Sequence, residues 1–387
     1  MNTNIKVARL LGIPVIVNLS WVVTLAFVTS LLALRFYPEV IPPDSPYRND
    51  HVLHWVMAIS SGLIFFGSIL VHELAHSAVA LRQGIPVKSI TLFIFGGVSQ
   101  ISGEAKRPLH EFVMAIVGPL TSLLLAVLFF GLWYAAGHSD RKPAAVVMEW
   151  LFLMNLVIAA FNMAPGFPMD GGRVLRAILW GATGNMIRAT RLATLVGRSM
   201  GYAMMIVGAV AFFGLISFID PWSGAWFAIL GLFLESSARQ SWFQAKALDI
   251  LSRYAAEDIM TSDLETAEER ELLRYLTSRG GQRFIFFVSD ATERVVGVLT
   301  EKEVEALSPE RRGTSTAGDA MVPTESVPVA TPREDGATLL QRMETDAVWH
   351  MPVVAEGRVI GVVNKENLLR LLARGLFPQA PNLLGQR

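Results

Sequence analysis

The amino-acid sequence predicts a polytopic α-helical membrane domain, with about six transmembrane spans and a short membrane-embedded β segment, followed by a soluble α/β tandem. Three observations predict it. Residues up to about Ala245 are strongly apolar, while the remainder has the mixture of an ordinary soluble sequence. His72, Glu73 and His76 stand inside one of the most hydrophobic stretches of the chain. In the polar part, Ala256-Glu-Asp258-Ile-Met260 recurs sixty-one residues later as Ala317-Gly-Asp319-Ala-Met321.

Composition agrees. Of 387 residues, 52% are hydrophobic and 17% charged, against about 25% charged in an average soluble domain, and mean hydropathy is +0.44. The 33 basic and 33 acidic side chains cancel, which implies no polyelectrolyte partner and no nucleic acid. Cysteine is absent, so disulfides, thiolate metal ligands and cysteine nucleophiles are excluded. The expected organisation is a membrane domain over 1–245, soluble repeats over 246–310 and 311–376, and a tail over 377–387.

Against the roughly 20 residues that cross a bilayer, the apolar runs fall at about 13–34, 55–81, 112–136, 146–165 and 196–219. A shorter run at about 222–237 suits a span or a half-span. The first run is about twice the length of a signal-peptide core and lacks a cleavage pattern, so it is expected to remain as a membrane helix. Lys6, Arg9, Lys106, Arg107, Arg173, Arg176, Arg188, Arg191, Arg239 and Lys246 fall on one side, and Arg35, Arg48, Arg141 and Lys142 on the other. That bias places the N terminus and the soluble tandem in the cytoplasm of an integral membrane protein, with the cell membrane of a prokaryote as the expected setting.

Within 52–81, Glu73 is the only acidic or basic side chain apart from histidines. Ionisable groups at membrane depth are costly and are kept for a purpose. On a helix, His72 and His76 share one face, where both imidazoles can reach one metal ion. Glu73 is placed beside them to take a proton from water at the metal. The second and fourth spans run in the same direction, so the end of the fourth, Asn162-Met-Ala-Pro165-Gly-Phe-Pro168-Met-Asp170-Gly171-Gly172, arrives at the level of the histidine pair. Two imidazoles and one carboxylate make a catalytic zinc set, with Asp170 as the third ligand. A plain surface turn is the alternative reading of Asp170-Gly171-Gly172.

His72-Glu73-Leu74-Ala75-His76 together with Asn162-x-x-Pro165-x-x-Pro168-x-Asp170-Gly171 resembles the site-2 protease family of intramembrane zinc metalloproteases, in the subgroup that carries a CBS domain pair. Leu11-Gly12-Ile13-Pro14-Val15 and Ser20-Trp21 resemble its N-terminal edge, Phe95-Gly96-Gly97-Val98 its membrane-embedded loop, and Gly118-Pro119-Leu120 the start of its third span. Members often carry an asparagine shortly after that Gly-Pro pair. Here Thr121 and Ser122 stand in its place, a departure that weakens a polar role at that position and leaves the metal set untouched.

The resemblance implies hydrolysis of a peptide bond in or near the transmembrane segment of a membrane protein substrate within the lipid bilayer. His72, His76 and Asp170 would hold Zn2+, and Glu73 would serve as general base and then acid. Asn162 is a candidate to hydrogen-bond the substrate backbone or the oxyanion, or else to cap a helix end. Residues 87–101, broken by Gly96-Gly97, read as short strands whose edge could pair with an extended substrate, or as an ordinary loop. His51, His54, His110, His138 and His350 lack partners at ligand spacing and read as surface or interface residues. Gly197-x-x-x-Gly201 suits close helix packing.

The soluble half also repeats Val296-Gly297-Val298-Leu299-Thr300 as Ile360-Gly361-Val362-Val363-Asn364. Each unit is expected to hold an opening segment, a helical stretch (268–279 and 337–345), paired strands and a closing helix. The pattern resembles a CBS pair, which implies binding of an adenine nucleotide such as ATP or AMP, or a homodimerisation module. The family's ribose-binding Gly-x-x-Ser/Thr-x-x-Asp pattern is nearly matched by Gly297-x-x-Thr300-x-x-Glu303 and poorly by Gly361-x-x-Asn364-x-x-Asn367. A CBS-regulated transporter or channel, or a proteolytically inactive membrane receptor, are the rival classes. Neither needs the complete set His72, Glu73, His76 and Asp170.

Overall fold

A strand occupies the start of the first expected helix. The computed structural model describes residues 4–94, 96–101, 103, 105–137, 142–216, 218–280, 284–291, 295–356 and 358–376, and the chain divides into two units, 1–242 and 243–387. In the first unit, β1 (Asn4–Leu10) and β2 (Ile13–Asn18) form an antiparallel hairpin. Its turn is Leu11-Gly12, both at positive φ, as a two-residue hairpin turn of this hand requires. The expected first span is therefore corrected: its helix begins at Leu19, after Asn18 accepts the backbone N–H of Ser20 as N-cap. The apolar run 13–18 continues directly into that helix, and periodicity alone cannot separate a short apolar strand from a helix.

Helix α1 (Leu19–Leu31), a π-helical turn (Leu32–Phe36) and α2 (Tyr37–Val40) follow. Then come α3 (His51–Arg82), β3 (Val87–Phe93) and β4 (Gly96–Ile101). The strands order as β1-β2-β3-β4, with β2 and β3 parallel and the outer pairs antiparallel. The hairpin read from 87–101 is thus half of a four-stranded sheet, with β4 at its edge. Helices α4 (Pro108–Ala135), α5 (Pro143–Asn162), α6 (Asp170–Thr183), α7 (Met186–Phe212) and α8 (Pro221–Leu251) complete the element order.

Among the described residues, five helical segments are long and apolar enough to cross a membrane: Leu19–Val40, His51–Arg82, Pro108–Ala135, Pro143–Asn162 and Met186–Phe212. The short apolar run at 222–237 lies inside α8, which is not among them. Against α8, α7 packs backbone to backbone. A Cβ on Gly208 would lie 2.4 Å from the Ala228 nitrogen, and one on Gly201 would lie 2.8 Å from the Glu235 nitrogen. Small residues permit such approach between apolar helices.

The second unit begins within α8 and continues with α9 (Ala256–Ile259), β5 (Thr266–Glu268), α10 (Leu273–Gly280), β6 (Ile285–Ser289), β7 (Val295–Thr300), α11 (Glu301–Glu305), α12 (Pro309–Thr314) and α13 (Ala317–Ala320). It ends with β8 (Val322–Pro323), α14 (Gly336–Thr345), β9 (His350–Ala355), β10 (Arg358–Asn364) and α15 (Lys365–Leu376). The helix expected over 268–279 starts only at Leu273, because Thr266–Glu268 pairs in parallel with β6. The tail 377–387 lies outside the described residues.

The two cores exchange their opening segments. Ala256 and Ile259 are buried with Leu339, Val353 and Leu368, whereas Ala317 is buried with Leu273, Phe286 and Leu299. The repeated motifs interlock the same way. A Cβ on Gly297 would lie 2.4 Å from the Met321 sulfur, and one on Gly361 would lie 2.5 Å from the Met260 sulfur. Each repeated methionine therefore seats on the glycine of the other repeat, and each repeated aspartate, Asp258 and Asp319, accepts the backbone N–H three residues earlier.

Candidate metal centre

His72, Glu73 and His76 lie on α3, and Asp170 is the first residue of α6. The glycines around Asp170 explain its placement. A Cβ on Gly172 would lie 2.3 Å from the Gly166 carbonyl carbon, and one on Gly171 would lie 2.4 Å from the Met163 oxygen. Only glycine lets the first turn of α6 press onto 163–167 and bring Asp170 against α3.

The two Nε2 atoms are 3.2 Å apart, and Asp170 Oδ2 is 3.2 Å from that of His72 and 3.1 Å from that of His76. Both rings are buried. His76 Nδ1 is 2.6 Å from the Met114 carbonyl oxygen. A carbonyl only accepts, so Nδ1 carries the proton and Nε2 of the neutral ring presents a lone pair. His72 Nδ1 is 2.9 Å from Ser122 Oγ. Two imidazole nitrogens and a carboxylate oxygen thus converge, a donor set that could hold one metal ion. Their separations are close to the edge of a tetrahedron of about 2.0–2.1 Å bonds, as zinc takes with these ligands. The residues fit zinc.

Ser122 has a polar role despite the departure from the family pattern, since it touches the site through His72. Helical spacing carries the signal that was missed: Met114, Gly118 and Ser122 recur every four residues along one face of α4. A Cβ on Gly118 would lie 2.1 Å from His76 Nε2 and 2.7 Å from His72 Nε2, so that position must stay bare. A second missed residue is Ser99 on β4, whose hydroxyl donates to Glu73 Oε2 at 2.7 Å.

A cleft of about 570 Å³ opens beside these groups, lined by His72, Glu73, His76, Asp170, Asn162, Gly96, Gly97 and Trp226 among others. A Cβ on Gly97 would lie 2.7 Å from Glu73 Cγ. Asn162 ends α5, whose cap is closed by the Met163 N–H to Ala159 O rather than by the Asn162 side chain. Of the other histidines, His54 is fully buried, with Nε2 3.1 Å from Tyr47 O, which corrects its expected surface or interface place. His138 lies outside the described residues.

In the second unit, a pocket of about 250 Å³ is lined by residues including Thr300, Glu303, Lys302, Trp349 and His350. Asn364 and Asn367 are not brought to it. Thr300 donates its N–H and its hydroxyl to Glu303 Oε2, and Asn367 Nδ2 is 3.3 Å from Thr261 Oγ1.

Comparison with known proteins identifies the family. The family model described as peptidase family M50 matches residues 61–139 and 134–208, and that of the CBS domain matches 317–374. Rip3 of Mycobacterium tuberculosis, a zinc metalloprotease by name, is 32% identical over 382 residues, covering 96% of this chain and 93% of its own. The zinc metalloprotease sll0528 of Synechocystis is 31% identical over 381 residues, covering 96% of both chains. The solved site-2 protease of Methanocaldococcus jannaschii is 26% identical and covers 62% of this chain and 95% of its own, with a TM-score of 0.41. The chain belongs to peptidase family M50, as a zinc metalloprotease of the site-2 protease family that carries a CBS domain.

Proposed function

We propose that the chain cleaves a peptide bond in or near the transmembrane segment of a membrane protein, with His72, His76 and Asp170 holding one zinc ion and Glu73 as general base. One observation carries this reading: three donor atoms from α3 and α6 lie within 3.2 Å of one another beside Glu73, on the wall of the cleft. Zinc at such a site acts as a Lewis acid and lowers the pKa of water. Glu73 takes the proton of the attacking water and passes it to the leaving amine. The Ser99 hydroxyl holds Glu73 Oε2 and leaves the other oxygen for that transfer. Asn162 and the β4 segment at Gly96 and Gly97 face the cleft, where an extended substrate would hydrogen-bond to them.

Glu73→Gln tests the assignment. The variant should keep its zinc and lose at least about 100-fold in cleavage of a co-expressed single-span membrane protein. Near-normal cleavage would remove Glu73 from its role.

The same reading places the N terminus and the second unit in the cytoplasm, α8 as a sixth span or half-span, and the β segment at membrane depth. The CBS repeats, over 246–310 and 311–376, act as regulator, through an adenine nucleotide at the Thr300 and Glu303 pocket or through homodimerisation. Support comes from α8, one uninterrupted helix over the short connection at 236–247, since a stiff link transmits a rearrangement that a flexible one would absorb. Asn364 and Asn367 would belong to a second, weaker site. Calorimetric titration of ATP into the full chain tests this, and absence of heat at millimolar nucleotide would leave homodimerisation as the role.

A further inference from the structure

Among the described residues, the first turn of α4 holds a carboxylate with no role in the chemistry above. Glu111 is 0% exposed. Its Oε1 accepts from Arg173 Nε at 3.0 Å and from Arg176 Nη2 at 2.6 Å. A charge inside an apolar helix is retained only when paired, and then most often for specificity or function. Both arginines belong to the first two turns of α6, the helix that begins with Asp170. Arg173 lines the cleft, and the Arg176 guanidinium lies over the Phe167 ring, 5.2 Å from its centroid, three residues before Asp170.

The placement of Glu111 on α4 gives this pairing its consequence. Positions 111, 114, 118 and 122 are spaced by three, four and four residues, a single helical stripe. Met114 O holds His76, the bare Cα of Gly118 admits both rings, and Ser122 holds His72. Glu111 extends that stripe to α6. One face of α4 therefore touches the imidazoles directly and, through two guanidinium groups, fixes the rotation and height of the helix bearing Asp170.

We propose that Glu111 is a positioning residue of the metal centre, setting the carboxylate of Asp170 in register with His72 and His76 through Arg173 and Arg176. The proposal rests on the reading of those three residues as zinc ligands. Partners beyond the ligands commonly change metal affinity by about 10–100-fold, and an effect in that range is expected here.

The test needs no substrate. Full-length protein in detergent is titrated with zinc against a competing chelator, and its cobalt form is examined by visible absorption. Glu111→Gln should weaken zinc binding about 10–100-fold and alter the cobalt spectrum. Glu235→Gln serves as control, because Glu235 is also buried and paired, with Arg198 Nε at 3.0 Å, but lies outside the stripe. It should leave affinity and spectrum unchanged. Wild-type affinity in Glu111→Gln overturns the proposal, and so does an equal loss in both variants, which would be general destabilisation. If Glu111→Gln does not fold, Glu111→Asp and Arg173→Lys keep the charge and shift the geometry. Weakened zinc binding in them supports the proposal, and unchanged binding overturns it. Failure of the underlying reading looks different: wild type would bind no zinc, or His72→Ala would bind it as well as wild type.

Discussion

The metal centre of the first unit and the pocket of the second use polar side chains in opposite ways. At the metal centre, His76 Nδ1 is engaged by the Met114 carbonyl and His72 Nδ1 by Ser122, while both Nε2 atoms and Asp170 Oδ2 face one another. In the pocket, the hydroxyl of Thr300 is already turned to Glu303, and Glu303 accepts the Thr300 N–H at the start of α11. The first arrangement directs lone pairs at a common point, which a cation satisfies. The second satisfies its own groups, so a ligand there must displace bonds that stabilise a helix end. Dependence on a bound group is therefore expected to be strong in one region and weak in the other.

The largest expected effect is that of Gly118→Ala. Its Cβ would fall 2.1 Å from His76 Nε2, so the ring must move, and zinc per chain by elemental analysis should drop from one to near zero with helix content retained. Full zinc content would mean that α4 can shift and that the centre is looser than its packing shows. Next, Ser122→Ala removes the partner of His72 Nδ1 and should weaken zinc about 10-fold, read by chelator competition. An effect under about two-fold would make Ser122 a packing residue only.

Smaller effects belong to the second unit. Thr300→Val removes a hydroxyl from the start of α11 and should lower stability by about 1 kcal/mol without any nucleotide present, seen as a lower Tm for that unit. If Tm falls only when nucleotide is present, the hydroxyl serves the ligand rather than the helix. The smallest effect is that of pH at Asp319. The Thr316 backbone N–H, and then its hydroxyl, hold this exposed carboxylate below its usual value. A depressed folded pKa contributes stability above the unfolded value of about 4, and that stability is lost as pH falls through the folded pKa. Asp319→Asn should therefore flatten the acid limb of the melting profile, and an unchanged limb would show that the bond contributes nothing.

Legibility followed the distance over which information had to act. Helical spacing within 72–76, the apolar runs and the repeated Ala-x-Asp-x-Met segments are local patterns, and all could be read without a structure. Asp170 was also legible, because counting crossings brings the ends of the second and fourth spans together. Strand β2 was not, since its apolar residues run without a break into α1. Nor was the partner of Ser122: the four-residue spacing of Met114, Gly118 and Ser122 marks one face of α4, and what that face meets emerges only when α4 is seen against α3.

Residue types and spacings alone therefore pointed to the class of chemistry, a donor set of the zinc type with a neighbouring carboxylate in an apolar domain, and to the twofold repeat of the polar part. The folded chain showed what touches these donors, the stripe 114, 118 and 122 along α4 and the glycines beneath Asp170, and, separately, how the two repeats interlock, with Met260 on Gly361 and Met321 on Gly297. Periodicity reports which face of an element is apolar. It says nothing about which partner that face meets, because that choice depends on packing shape and on satisfying buried polar groups between elements far apart in sequence.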